Sequence, residues 1–386
     1  MLRLTGMRLI ATGVLLPLAI SFCGPSVARQ PLAAPTLPRV SASPEGLRAG
    51  GNQPFYLSGA NQYYLFYKNS QTVDDVFAAA QSLALNTMRT WAFCEGQKNE
   101  GICMQPAAGV YDEAAFRRLD YVIKKAADSG VHLVLTLSNN WNDFGGINQY
   151  LQWVGGGLVH DDFYRDERVR SLFRNYIRQV LTRVNTLTGI AYKDDPTIMI
   201  WELMNEPRAD DKPSFYAWID EMAGYIKSLD SQHLVSTGSE GGFATDFVAT
   251  HASPHIDVAS MHLYPENWNI SIEAATSMLR DHIIMAREQL KKPLYLGEFG
   301  LLDQTRRTDV YRQWYDVIDH EDGNGALLWI LSGAQYDNSG NKGQRYPDYD
   351  GYTIYYPEST AVVPTIQDFS AKMRAKKRAA SAKAVH

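Results

Sequence analysis

Two glutamates stand at the ends of short apolar runs. Glu206 lies in Trp201-Glu202-Leu203-Met204-Asn205-Glu206-Pro207-Arg208, and Glu298 in Leu296-Gly297-Glu298-Phe299-Gly300. A carboxyl pair brought into one cleft can divide its work. One member, kept protonated, gives its proton to a leaving oxygen; the other, ionised, attacks an anomeric carbon. That is the chemistry of glycosidic bond cleavage. Closeness raises the pKa of one member by like-charge repulsion, and a cation beside the other keeps it charged. Arg89 is the candidate cation and Tyr264 a candidate hydrogen-bond donor to Glu298. Each short motif has a bland meaning when taken alone: Asn-Glu-Pro is a common turn, Trp329 suits a core and His262 a structural hydrogen bond. The constellation carries more than its parts, provided one scaffold sets all of them on one rim.

The strand-like runs are Phe55–Gly59, Asn86–Trp91, Val131–Leu137, Thr197–Leu203, Leu234–Gly238, Val258–Tyr264, Pro293–Glu298 and Ala326–Leu331. Amphipathic helical stretches alternate with them: Val73–Leu83, Glu113–Ala127, Glu167–Val184, Phe215–Leu229, Ile272–Leu290 and Asp309–Ile318. Continuous rather than alternating apolar character predicts a parallel sheet covered on its outer face. The expectation is an α/β fold, a single (β/α)8 TIM barrel. A doubly wound sheet would bring a glycine-rich phosphate turn after its first strand, and none follows Phe55–Gly59. In a barrel the reactive groups sit at the C-terminal strand ends. Those ends carry Arg89, Asn139-Asn140-Trp141, the Asn205–Arg208 run, Ser239-Glu240, His262-Leu263-Tyr264, Glu298 and Trp329.

Other chemistries lack their motifs. There is no Gly-x-Ser-x-Gly elbow, no His-Glu-x-x-His and no phosphate-binding Gly-Lys-Ser/Thr loop. His160-Asp161-Asp162 reads as a cation ligand or, more commonly, a hydrated loop. The net charge is −5, and six of the cations crowd the tail as Lys372, Arg374, Lys376, Lys377, Arg378 and Lys383. The acidic body excludes nucleic acid as a partner, which needs a basic face. Residues 1–28 read as a signal peptide, with Arg3 and Arg8, an apolar run from Leu9 to Ile20 and a small-x-small site at Ser26-Val27-Ala28. The run is too short for a membrane span, so the expectation is a secreted or periplasmic protein without a transmembrane segment. Residues 29–44 read as a linker or disordered lead-in, 45–370 as the barrel and 371–386 as a basic, disordered tail. After cleavage Cys94 and Cys103 remain. In an oxidising compartment they read as a disulfide closing a short loop, or else as two free thiols.

Taken together, these residues resemble glycoside hydrolase family 5, and within it the β-mannanases. The similarity runs over most of residues 50–335. Its clearest stretches are Asn86–Phe93, Asn139–Gly146, Tyr192–Met199, Trp201–Arg208, His262–Pro265 with Trp268, and Leu296–Gly300. The resemblance implies Glu206 as acid/base, Glu298 as nucleophile and Asn205 as holder of the 2-hydroxyl of the sugar being cleaved. It implies Arg89, His262 and Tyr264 as the supporting polar shell, Trp329 as a platform under that sugar, and Asn140 as a further substrate contact. Arg208 and Trp268 then fall on the leaving-group side, with Glu240 as another cleft residue. The expected activity is retaining cleavage of internal β-1,4-mannosidic bonds in mannan, glucomannan or galactomannan by a monomer without metal or organic cofactor. An exo-acting β-mannosidase, a β-1,4-glucanase and a non-catalytic polysaccharide-binding barrel are the alternatives.

Overall fold

The computed structural model describes residues 37–376 apart from 51, 97–100, 243 and 338, with no account of the side chains of 244 and 245. Residues 1–28, read as a signal peptide, the lead-in as far as residue 36 and the tail from residue 377 lie outside the described residues.

Eight parallel strands form one sheet: Leu57–Asn61, Thr87–Trp91, His132–Thr136, Ile198–Glu202, Leu234–Ser236, Ala259–Leu263, Leu294–Phe299 and Gly325–Leu328. We number them one to eight. Each pairs with its neighbour in sequence, strand eight pairs with strand one through Gly325↔Leu57, and a bridge between Ser236 and Val258 joins five to six. The sheet therefore closes into the expected (β/α)8 barrel. Every residue of all eight strands is buried, as a sheet wrapped by helices requires.

The helices show why these segments leave the sheet. The Glu113–Ser129 helix starts where the Asp112 carboxylate accepts the Ala114 N–H and stops at Gly130, whose φ of 72° suits glycine. Its buried stripe is Ala115, Phe116, Leu119, Val122, Ile123 and Ala126. The Glu167–Thr182 helix ends earlier than its apolar pattern, because Arg183 leaves it to bind Asp120 (Nη2 to Oδ2, 2.7 Å) and Glu113 (Nη1 to Oε2, 2.8 Å). The largest core lies between sheet and helices. A smaller one fills the barrel's N-terminal end with Leu57, Val134, Ile200, Leu234, Val258, Tyr295 and Leu327, joined by Val40 and Leu47 of an N-terminal hairpin.

That hairpin corrects one boundary. Val40–Ser43 is a strand paired with Gly46–Ala49, so ordered structure begins inside the span read as linker; Val40 packs under the barrel and cannot be solvated. The other end is corrected in the same sense. The Val363–Ala375 helix runs past residue 371, buries Met373, and pairs Lys372 with Asp316 at 3.2 Å and Lys376 with Asp319 at 2.9 Å. These tail cations neutralise acids of the preceding helix.

Cys94 and Cys103 form a disulfide, with Cα atoms 5.0 Å apart. Closing so short a loop is worth about 2–3 kcal/mol by chain entropy. Replacing both cysteines with serine should lower unfolding stability by about that amount in urea titrations; an unchanged midpoint would show that the bond is energetically idle.

Candidate active site

Strand four ends at Glu202, and the chain beyond it is held between its neighbours. Leu203, Met204 and Glu206 donate their N–H groups to the carbonyls of Ser236, Thr237 and Gly238, while Asn205 donates to Ser138 O. The fit is close at Gly238, where a Cβ would lie 1.9 Å from Met204 O. Glu206 itself has φ 51°, a left-handed backbone that costs a non-glycine residue about 1–3 kcal/mol. On strand seven the register with strand six shifts between Leu296 and Glu298, and such an irregularity re-aims a side chain. Glu298 points into the mouth of the barrel, only 4% exposed.

Beneath both lies Arg89, fully buried on strand two. Its Nε donates to Glu202 Oε2 at 2.6 Å, Nη1 to Asn61 Oδ1 at 3.0 Å and to Glu298 Oε1, and Nη2 to Asn205 Oδ1 at 2.8 Å. Glu202 takes two further bonds, from Thr136 Oγ1 at 2.6 Å and Tyr295 OH at 2.9 Å. The second oxygen of Glu298 accepts Tyr264 OH at 2.8 Å. His262 Nδ1 lies 2.7 Å from Glu206 Oε1 and 3.6 Å from Glu298 Oε2. Trp141 donates its indole N–H to Glu206 Oε2 at 2.6 Å. Oxygens of Glu206 and Glu298 and a His262 nitrogen fall within 4.8 Å of one another. These three have metal-ligand spacing, yet Arg89 already supplies positive charge there and Trp141 and Tyr264 occupy carboxylate oxygens.

Both carboxylates line an open cleft of about 830 Å³. On one side Trp329 stacks near Tyr63 (centroids 5.9 Å apart, planes 20° apart) and donates Nε1–H to Asp350 at 2.7 Å. On the other, Arg208 holds Glu240 through two bonds, of 2.5 and 2.7 Å, and sits 4.8 Å over the Trp141 ring. Arg208, Glu240 and Trp268 also border a second cavity of about 680 Å³, so the groove continues beyond them.

Of the residues singled out from sequence, Glu206, Glu298, Asn205, Arg208, Glu240, Tyr264, Trp268 and Trp329 line the cleft. Arg89 and His262 are buried below it and touch the carboxylates, so they support the site without facing it. Asn140 does not line this cleft. Its Oδ1 faces His160 Nε2 at 3.0 Å, and Asn139 is the cleft residue, bonded through Oδ1 to Asn205 Nδ2 at 3.1 Å. The Asn139 side chain meets Asn205 and faces the cleft, while that of Asn140 turns to His160. His160 also bonds Asp161, whose other oxygen caps the N–H groups of Asp210 and Asp211; that run is a loop brace. The roles of Glu202, Asn61 and Trp141 escape a reading along the chain. A glutamate inside the apolar run Ile198–Leu203 was the available signal for Glu202.

Residues 48–317 match the glycoside hydrolase family 5 beta-mannosidase-like model. This chain belongs to that family. Mannan endo-1,4-beta-mannosidase 3 of Arabidopsis thaliana is 38% identical, over 83% of this chain and 86% of its own length. The solved endo-beta-1,4-mannanase of Thermotoga petrophila is 34% identical with a TM-score of 0.77, covering 84% of this chain and 78% of that one. The endo-1,4-beta-mannanase of Rhizomucor miehei is 32% identical with a TM-score of 0.76, covering 87% and 100%.

The charges of this family 5 site do not sort as proximity to Arg89 alone suggests. Burial pushes Glu298 above the usual carboxylate range, with repulsion from Glu206 added, despite the pulls of His262 and Arg89. Arg89 divides its charge between Glu298 and Glu202, which is why it does not prevail. Burial also works to raise Glu206, but His262, by hydrogen bond and charge, and then Trp141 hold it below the usual range. Burial lowers the His262 ring, whose Nε2 has no hydrogen-bond partner among the described residues; the charge of Glu298 and the bond to Glu206 outweigh this and raise it. A proton on His262 Nδ1 and a proton on Glu206 are two placements of one proton across a 2.7 Å contact. The unit thus holds the proton that an acid needs until His262 and Glu206 together lose it. The expected kcat/KM profile is bell-shaped. Its acid limb, from protonation of Glu298, lies above the ordinary carboxylate pKa, and its alkaline limb above that of free imidazole. A profile flat from pH 5 to 9 would contradict this. Arg89→Met, which strands two buried carboxylates, should cost about 3–5 kcal/mol in urea unfolding.

Proposed function

We propose that this chain is an exported, retaining endo-β-1,4-mannanase acting on mannan, glucomannan or galactomannan. The observation that carries the reaction class is the closeness of the two carboxylates, one oxygen of each lying within 4.8 Å of the other. Retaining glycosidases keep the pair about 5–5.5 Å apart, while inverting ones leave about 6.5–9.5 Å for a water. In the proposed double displacement Glu206 gives its proton to the glycosidic oxygen as Glu298 attacks the anomeric carbon. The bond to the leaving sugar breaks and a mannosyl ester on Glu298 forms. Water, giving a proton to Glu206, then attacks the same carbon and frees Glu298. Arg89 and Tyr264 fix both oxygens of Glu298, Asn205 meets the 2-hydroxyl, and Trp329 floors the sugar.

The substrate reading is supported by the relatives' names. Internal attack is supported by a groove open at Arg208 and Trp268 and continued by the second cavity. One observation favours an exo reading: Tyr346, Tyr349, Asp350 and Tyr352 of one late loop wall the other side of the cleft. Export after Ala28 and a monomeric state complete the proposal. Size-exclusion chromatography and N-terminal sequencing of the mature protein test these, with Arg29 as the expected first residue.

The main test is early product analysis on linear β-1,4-mannan beside cellulose. A ladder of short manno-oligosaccharides with no attack on cellulose is expected. Mannose alone would replace endo with exo action, and cleavage of cellulose would overturn the substrate. Proton NMR should show the β-anomer first. Glu206→Gln and Glu298→Gln should each lower kcat by about 10³-fold or more, and a mild loss at both would overturn the assignment.

A further inference from the structure

A third carboxyl lies outside the mechanism. Glu95 is fully buried beside the disulfide, and the loop after strand three wraps around it. Its N–H donates to Phe144 O at 2.7 Å. Its Oε1 accepts Ser138 Oγ–H at 3.3 Å, and its Oε2 accepts the Gly146 N–H at 3.1 Å. Gly145 passes so close that a Cβ there would lie 2.3 Å from Glu95 O. At Gly146 a Cβ would lie 2.2 Å from Trp141 O and 2.4 Å from Asn139 O. The loop between these anchors delivers Asn139 to Asn205 and the Trp141 indole to Glu206.

We propose that Glu95 is a positioning residue, a buried peg around which the Ser138–Gly146 loop folds so that Trp141 reaches Glu206 and Asn139 reaches Asn205. The proposal rests on the reading of Glu206 as acid/base. Cys94, through the disulfide, and the Gln105 N–H, which bonds Cys94 O at 2.9 Å, hold the peg from the opposite side. Among the described residues, the titratable groups acting with Glu95 are the phenols of Tyr150 and Tyr176, both raised far above their ordinary range by burial first and by Glu95 next. Neither brings positive charge. Burial pushes the Glu95 carboxyl up to about 8, against the bonds from Gly146, Ser138 and Tyr150. Burial thus outweighs those bonds and keeps the acid neutral below about pH 8. With a folded pKa raised above the ordinary one, the stability it lends the loop is full at low pH and is lost as pH rises through about 8.

The test compares wild type, Glu95→Gln and Glu95→Ala by hydrogen exchange of the 138–146 segment, without substrate, and by kcat and KM on mannohexaose from pH 6 to 9. Glutamine keeps the shape of the neutral acid. At pH 6 Glu95→Gln should exchange and turn over within about threefold of wild type, and its activity relative to wild type should rise about fivefold or more by pH 9. Glu95→Ala should speed exchange of the segment and lower kcat by about tenfold or more, with KM within about threefold, because a displaced loop misplaces reacting groups. A Glu95→Gln to wild-type ratio that stays level with pH, in exchange and in turnover, overturns the proposal even if the alanine variant fails to fold. If wild type is inactive on mannohexaose, the substrate reading fails; the exchange ratio, which needs no substrate, still decides for or against Glu95.

Discussion

A single guanidinium sets the terms for the rest of this molecule. Arg89, on the second strand, bonds to groups on the first, fourth and seventh strands and on the chain beyond the fourth. Removing a cation and two carboxylates from water costs several kcal/mol per ion unless each is paired and its remaining lone pairs are used. Here they are used: Thr136 and Tyr295 satisfy Glu202, and Tyr264 satisfies Glu298. The polar layer at the barrel mouth is therefore one connected object. It sits directly above the apolar layer of Val134, Ile200 and Leu327, whose packing keeps water from reaching it from below.

The two glutamates are supported in different ways, and the difference suits the role proposed for each. Glu298 lies on a strand, and its oxygens are held by Arg89 on strand two and by Tyr264 just past strand six. Glu206 sits past a strand end, in a left-handed backbone held by Gly238, and its oxygens meet His262 and the indole of a loop tryptophan. A nucleophile benefits from a fixed trajectory. A proton donor and acceptor benefits from a partner with which it can exchange a proton, and His262 Nδ1 lies 2.7 Å from Glu206 Oε1. Glu95, below the loop, is a buried acid whose oxygens accept from Ser138 and the Gly146 N–H, with burial outweighing those bonds and raising its pKa.

Much of this was legible along the chain. All eight barrel strands fall on the apolar runs, and six outer helices on the amphipathic stretches. Apolar continuity and helical periodicity are local properties that burial imposes directly. The ends were less legible. Val40 sits in a short stretch with Pro and Ser around it, and Met373 ends the stripe of Ile366, Phe369 and Met373 inside a run of cations; only the presence of a surface to cover shows that both are buried. Within the site, Glu202 looked like part of a strand and Trp141 like part of a motif. What each touches lies many residues away: Arg89 is 113 positions from Glu202, and Trp141 is 65 from Glu206.

The sequence by itself determined the barrel, the order of its strands, the rim that carries the polar residues and the two glutamates that stand on it. These follow from periodicity and from the position of a residue within its own element. Tertiary structure alone decided how far apart those carboxylates stand, that Asn139 and not Asn140 faces the cleft, that Arg89 is shared, and that Glu298 is raised while Glu206 is lowered. Each of these depends on distances between strands and loops remote in sequence, in a buried setting where electrostatic energies change steeply with position.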